Sequence, residues 1–152
     1  MKMTTLLRGL PLALLVIASF AGRGQDVSAQ VSGANNAVGE KLIRAYYAAF
    51  EKKDWSLMEP ILADGFTFSS PLDDHINLAV FKERCWPNAG KIKRFDVEKL
   101  TVNGDSAFVI YNGWTNDGKL FRNSDYFTFR DGKIRAYECF FGPGVNYPNS
   151  GK

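Results

Sequence analysis

The sequence predicts a segregated α+β domain, with three N-terminal helices packed on one face of a strongly curved antiparallel sheet that wraps the first helix as a cone-shaped α+β barrel. Three observations predict it. Apolar residues recur at helical spacing in three segments before Pro87, they alternate with period two from Phe95 to Phe141, and the alternating stretches are divided by Asn/Asp/Gly clusters.

The elements follow in order. The first helix opens near Val38 and carries Leu42, Ile43, Tyr46, Ala49 and Phe50 on one stripe, with Arg44, Glu51 and Lys52 away from it. Asp54 caps a second, shorter helix that buries Trp55, Met58, Ile61 and Leu62. Gly65 breaks that pattern, and Phe66 to Ser70 alternate as a short strand stopped by Pro71, which has no N–H for a ladder. Asn77 caps a third helix with Leu78, Phe81 and Cys85 inside and Lys82, Glu83 and Arg84 outside, ending at Pro87. Strands then run from Phe95 to Val102, Ser106 to Thr115, Leu120 to Arg130 and Ile134 to Phe141. The turns Asn103-Gly104-Asp105, Asn116-Asp117-Gly118 and Asp131-Gly132 supply the positive φ of tight hairpins, so these strands should form an antiparallel meander.

The ends of the 152-residue chain read differently. Lys2 and Arg8, the apolar run Leu10 to Ala21 and the small-residue pattern Val27-Ser28-Ala29 have the form of an export signal over residues 1–29. Ser19-Phe20-Ala21 is a rival cleavage site, and an uncleaved anchor is the alternative. The run is short for a membrane span. Cleavage after Ala29 would leave a linker at 30–37, one domain at 38–142 and a loose tail at 143–152. It would also remove Lys2, Arg8, Arg23 and Asp26, taking the formal charge from +3 to +1. The expected product is exported, periplasmic or secreted, and free of the membrane.

With so little net charge, and with Lys91-Lys93-Arg94 as its one mature basic cluster, the domain is expected to bind no nucleic acid. A single His and two Cys without ligand spacing give no metal site, and there is no Gly-rich phosphate loop, so no cofactor is expected. Cys85 and Cys139 can form a disulfide after export or stay as small buried hydrophobes.

Asp125 is the one carboxylate on an otherwise apolar strand face, Phe121-Asn123-Asp125-Phe127-Phe129. A buried carboxylate needs a partner or a neutralising proton. It therefore has either a structural hydrogen bond or a chemical task.

Ala63-Asp64-Gly65-Phe66-Thr67-Phe68 and the run Asp125-Tyr126-Phe127-Thr128-Phe129-Arg130-Asp131-Gly132-Lys133-Ile134 resemble the SnoaL-like branch of the nuclear-transport-factor-2-like superfamily. Ser70-Pro71-Leu72-Asp73-Asp74 with Glu83-Arg84-Cys85-Trp86-Pro87 resembles a bacterial subgroup without an assigned reaction. In the ketosteroid isomerases of that superfamily a Tyr and a protonated Asp hold a substrate oxygen. The resemblance places Tyr46 and Asp125 at those two positions and implies Tyr46 and Asp125 as the polar, catalytic or binding pair. It also places Ser70 where those enzymes have their Asp base. A serine hydroxyl cannot take a carbon-bound proton unaided, so His75, Asp73 or Asp74 would have to serve. His75 has a suitable ordinary pKa, although Asp-Asp-His before a helix is also a common solvated turn.

Period two and the isomerase comparison add Phe66, Phe68 and Ser70 from the first strand and Tyr137, Cys139 and Phe141 from the last. Trp114 and Trp86 are large enough to close a cavity. The expected ligand is a small hydrophobic molecule with an oxygen acceptor. Three classes remain open: a binder of such a molecule, an isomerase-, cyclase- or dehydratase-type acid-base enzyme, and a homodimeric interaction module pairing through Ala107, Val109 and Tyr111 on an outer sheet face.

Overall fold

The computed structural model describes residues 23–141. The expected tail and most of the expected leader lie outside them. Helix α1 (Arg23–Lys52) starts ahead of Val38, so residues 30–37, expected as a linker, are helical. Beyond it come α2 (Trp55–Met58), β1 (Leu62–Ser70), β2 (Asp73–Asn77), α3 (Leu78–Arg84), β3 (Ile92–Asn103), β4 (Ser106–Thr115), β5 (Leu120–Arg130) and β6 (Lys133–Phe140). The caps are those expected: Asp54 accepts from the Ser56 N–H and Asn77 from the Val80 N–H. Helix α2 is shorter than its apolar stripe because Pro60 sits in the next turn, which tightens to 3₁₀ geometry over Glu59–Ile61.

The sheet is six-stranded in the order β2-β1-β6-β5-β4-β3, curved and open rather than closed into a barrel. The meander β3-β4-β5-β6 is antiparallel as expected, but β1 lies parallel to β6, so the sheet is mixed. Alternation records which face of a strand is buried and carries no information on its direction. The extra strand β2 pairs antiparallel with β1 across a bulge at Phe68/Ser70. It takes up Asp73, Asp74 and His75, which had read as a turn.

Helix α1 crosses the concave face. Leu42, Ile43, Tyr46, Tyr47 and Ala49 are buried there against Val109, Phe127, Ile134 and Tyr137. Polar ties help fix its position: Glu51 Oε1 accepts from the Phe95 N–H at 2.6 Å, Asn36 Oδ1 from the Gly104 N–H at 2.9 Å, and Tyr47 Oη donates to Asp125 on β5. Gly39 brings the helix close. A Cβ there would lie 2.7 Å from Val102 Cγ1 and 2.8 Å from Phe129.

Ala107, Val109 and Tyr111 belong to the concave face, with Val109 fully buried. This corrects their expected place on the outside, where Phe108 and Phe140 are exposed instead. Strand parity is fixed by pairing, and Val109 stands opposite Asp125 on the neighbouring strand.

Candidate functional site

A cavity of about 340 Å³ opens between α1, α3 and the concave sheet. Its walls are largely aromatic, with Phe50 from α1, Phe68 from β1, Phe95 from β3, Phe121 from β5 and Phe141 after β6. Phe121 reaches its place because Gly113, in the paired position on β4, has no side chain. A Cβ on Gly113 would fall 2.1 Å from the Phe121 ring. Ring-to-ring contacts continue through the floor, where Tyr47 meets Tyr111 and Phe95 at 5.0 and 5.1 Å between centroids.

The floor is polar underneath. Asp125 is fully buried behind it, and Tyr47 Oη donates to Asp125 Oδ2 at 2.6 Å. The other oxygen, Asp125 Oδ1, has no hydrogen-bond partner among the described residues, and neither does the buried Tyr46 Oη. Burial pushes the Asp125 carboxyl up to about 7, against the opposing hydrogen bond from Tyr47 and the weaker pull of Cys139, Tyr137 and Tyr111. The same burial, and next the Asp125 charge, raise the Tyr46, Tyr47, Tyr111 and Tyr137 phenols and the Cys139 thiol. Asn123 completes the group, its Nδ2 donating to Tyr111 Oη at 3.2 Å.

The mouth carries charge. Asp73, whose side chain is 9% exposed, lies with Oδ1 2.7 Å from Arg84 Nη2, off the line of a good hydrogen bond, and with Oδ2 3.1 Å from the Ser70 hydroxyl. Cys85 stands nearby with its thiol raised to about 11 by partial burial first and by Asp73 second. Cys85 and Cys139 both line the cavity and are both free.

The structure thus gathers Tyr46, Phe68, Ser70, Tyr137, Cys139 and Phe141 around one cavity, with Asp125 beneath them. Other expected residues lie elsewhere. Trp86 packs on Phe50 and Trp55, ring centroids 4.9 and 5.2 Å away, outside the cavity lining. Phe66 packs into the core on Phe81, ring centroids 5.3 Å apart. Trp114 belongs to the other face of β4, where the Arg94 guanidinium stacks 3.5 Å above its ring. His75 is exposed on β2 with φ 48°, paired to Asp74, so neither lines the cavity, whereas Asp73 does.

Sequence reasoning missed Tyr47 as the partner of Asp125. Consecutive helical residues differ by about 100° in direction, and because the curved sheet encloses α1 on a wide arc, both Tyr46 and Tyr47 are buried. A stripe one residue wide was too narrow. Tyr111 was missed with its strand face, although Asn123 and Phe121 follow directly from Asp125 by period two.

At this floor the chemistry available is hydrogen bonding inside an apolar enclosure, with one carboxyl group poised near neutrality. Among the described residues no group of His, Cys, Asp and Glu is arranged to hold a metal ion.

The SnoaL-like domain family model matches residues 43–137. A comparison with curated proteins finds no match. Solved structures share the fold. A provisionally named ketosteroid isomerase from Kribbella flavida superposes with a TM-score of 0.63 at 18% identity, over 75% of this chain and 84% of that one. An LEH-like epoxide hydrolase from M. tuberculosis gives 0.59 at 12% identity, over 70% and 84%. An NTF2-like protein of unknown function from Mesorhizobium loti gives 0.60 at 20% identity, over 72% and 94%. A sheet curved around its first helix, a cavity between them and a family match across most of the described residues lead to one assignment: the chain belongs to the SnoaL-like domain family.

Proposed function

We propose that this protein binds a small, flat hydrophobic molecule in the cavity, with Tyr46 and the Asp125–Tyr47 pair anchoring its polar head. One observation carries the reading: aromatic walls close over a floor whose buried polar atoms, Tyr46 Oη in the lining and Asp125 Oδ1 beneath it, have no hydrogen-bond partner among the described residues. Leaving such atoms unmet costs about 1–3 kcal/mol each, a deficit that a ligand head group would relieve. A phenolic probe should therefore bind, and Tyr46→Phe and Asp125→Leu should each weaken it by roughly 1–3 kcal/mol in a calorimetric titration. Asp125→Asn keeps the shape where the Leu variant fails to fold. Unchanged affinity in both the Tyr46 and Asp125 variants would remove the anchors. The basic start and apolar run of the sequence support binding outside the cytoplasm, which an N-terminal read beginning at Gln30 would check.

A second reading, an acid-base enzyme, is favoured by Asp73. This carboxylate lines the mouth and accepts a hydrogen bond from Ser70, the residue that the resemblance puts at the base position of ketosteroid isomerases. His75 takes no part in it, being turned to solvent. Turnover of a small enone by wild type and its loss in Asp73→Asn would support catalysis, and equal turnover by both would exclude Asp73.

A further inference from the structure

We propose that the cavity floor selects ligands whose buried head group donates a hydrogen bond, a phenol, alcohol or amine, over a carbonyl or ether of the same shape. The proposal rests on the cavity being the ligand site and follows from where the hydrogens at the floor already go. The Tyr47 proton is committed to Asp125 Oδ2 at 2.6 Å. Asn123 Nδ2 is committed to Tyr111 Oη at 3.2 Å and faces Cys139 Sγ at 3.9 Å. Tyr111, having accepted from Asn123, has Cys139 Sγ at 3.9 Å for its own hydrogen.

Among the described residues, the buried floor atoms left without a hydrogen bond in good geometry are Asn123 Oδ1 and Tyr46 Oη, on residues that line the cavity, and Asp125 Oδ1 beneath them; the Tyr137 hydroxyl, which draws the Tyr46 and Asp125 groups down, makes no such bond to either. An amide oxygen can only accept, as can the Asp125 oxygen once the carboxyl is ionised above about pH 7, and a hydroxyl does either. The unmet demand at the floor is thus for hydrogens. A ketone or ether would satisfy at most the Tyr46 hydroxyl and would leave both acceptors dry. A site whose buried polar groups are built for a donor rejects the isostere that lacks one far more strongly than an apolar pocket rejects a missing methylene. This is the reverse of an oxyanion hole, whose donors all point at the ligand.

The test is calorimetric titration of the full chain at about pH 8, where Asp125, with its carboxyl at about 7, is mostly ionised. The probes are naphthol, methoxynaphthalene and naphthaldehyde. Naphthol should bind at least roughly tenfold tighter than either of the others. In Asn123→Leu, confirmed folded by circular dichroism, that preference should shrink. Similar affinities for all three probes in wild type would overturn the donor rule and leave the cavity a ligand site. A full preference retained in folded Asn123→Leu would overturn the role given to Asn123. Binding of none of the three would overturn both the rule and the binding reading. The wild-type comparison decides by itself if the variant does not fold.

Discussion

Among the described residues Tyr47 Oη supplies the one hydrogen bond that Asp125 receives in good geometry, and it is the first influence drawing that carboxyl back toward its ordinary range. Tyr47→Phe removes it while keeping the ring contacts with Phe95 and Tyr111. The variant should lose about 1–3 kcal/mol at neutral pH, the cost of a stranded buried acceptor. Its Asp125 carboxyl should titrate above the wild-type value of about 7, followed through the carboxyl carbon by NMR. A midpoint at or below the wild-type value would mean that Tyr47 does not govern this group. At this scale the sequence was informative about Asp125 and less so about its neighbours. An inward carboxylate follows from period two alone, whereas the choice between adjacent tyrosines depends on the arc that the sheet presents to α1, a tertiary quantity.

Among the elements, β4 and β5 build the cavity wall through a complementary pair, a ring on one strand and a bare backbone on the other. Gly113→Ala would put a methyl group where the Phe121 ring now lies. The ring must then swing away, at a cost of about 1–3 kcal/mol of overpacking. Both a lower melting temperature and weaker probe binding are expected, and unchanged binding would show that Phe121 does not shape the wall that the ligand meets. Caps and hairpin turns were legible because each is a local matter: Asp54 and Asn77 cap, and Gly104 and Gly118 take positive φ. Helix limits were less so: α1 begins ahead of Val38, and Pro60 stops α2 short of Ile61 and Leu62. Strand β2 was not legible. Its five residues pair with β1 across a bulge, and its burial does not alternate.

For the molecule as a whole, Asp125 ties stability to pH with a definite sign. Its folded pKa, about 7, lies above the ordinary value of 3.8, so between those limits the folded state holds a proton that the unfolded chain releases. The contribution is complete below about pH 4, falls by up to about 1.4 kcal/mol per pH unit as pH rises to 7, and levels off beyond. Asp117, lowered to about 2 chiefly by Thr115 and then by Lys119, titrates below that window. Urea unfolding between pH 5 and pH 8 should show the slope in wild type and a flatter line in Asp125→Asn. The expected α+β class survives at this scale with an open, mixed sheet, and the placement of β6 between β1 and β5 has a consequence for assembly. During synthesis β1 and β2 emerge early with no third strand to join, while β3, β4 and β5 can zip together as a meander. The two halves stay strangers until residues 133–140 arrive and bridge them. Such distant pairing slows folding, and a chain ending at Arg130 would hold two half-sheets with no seam between them.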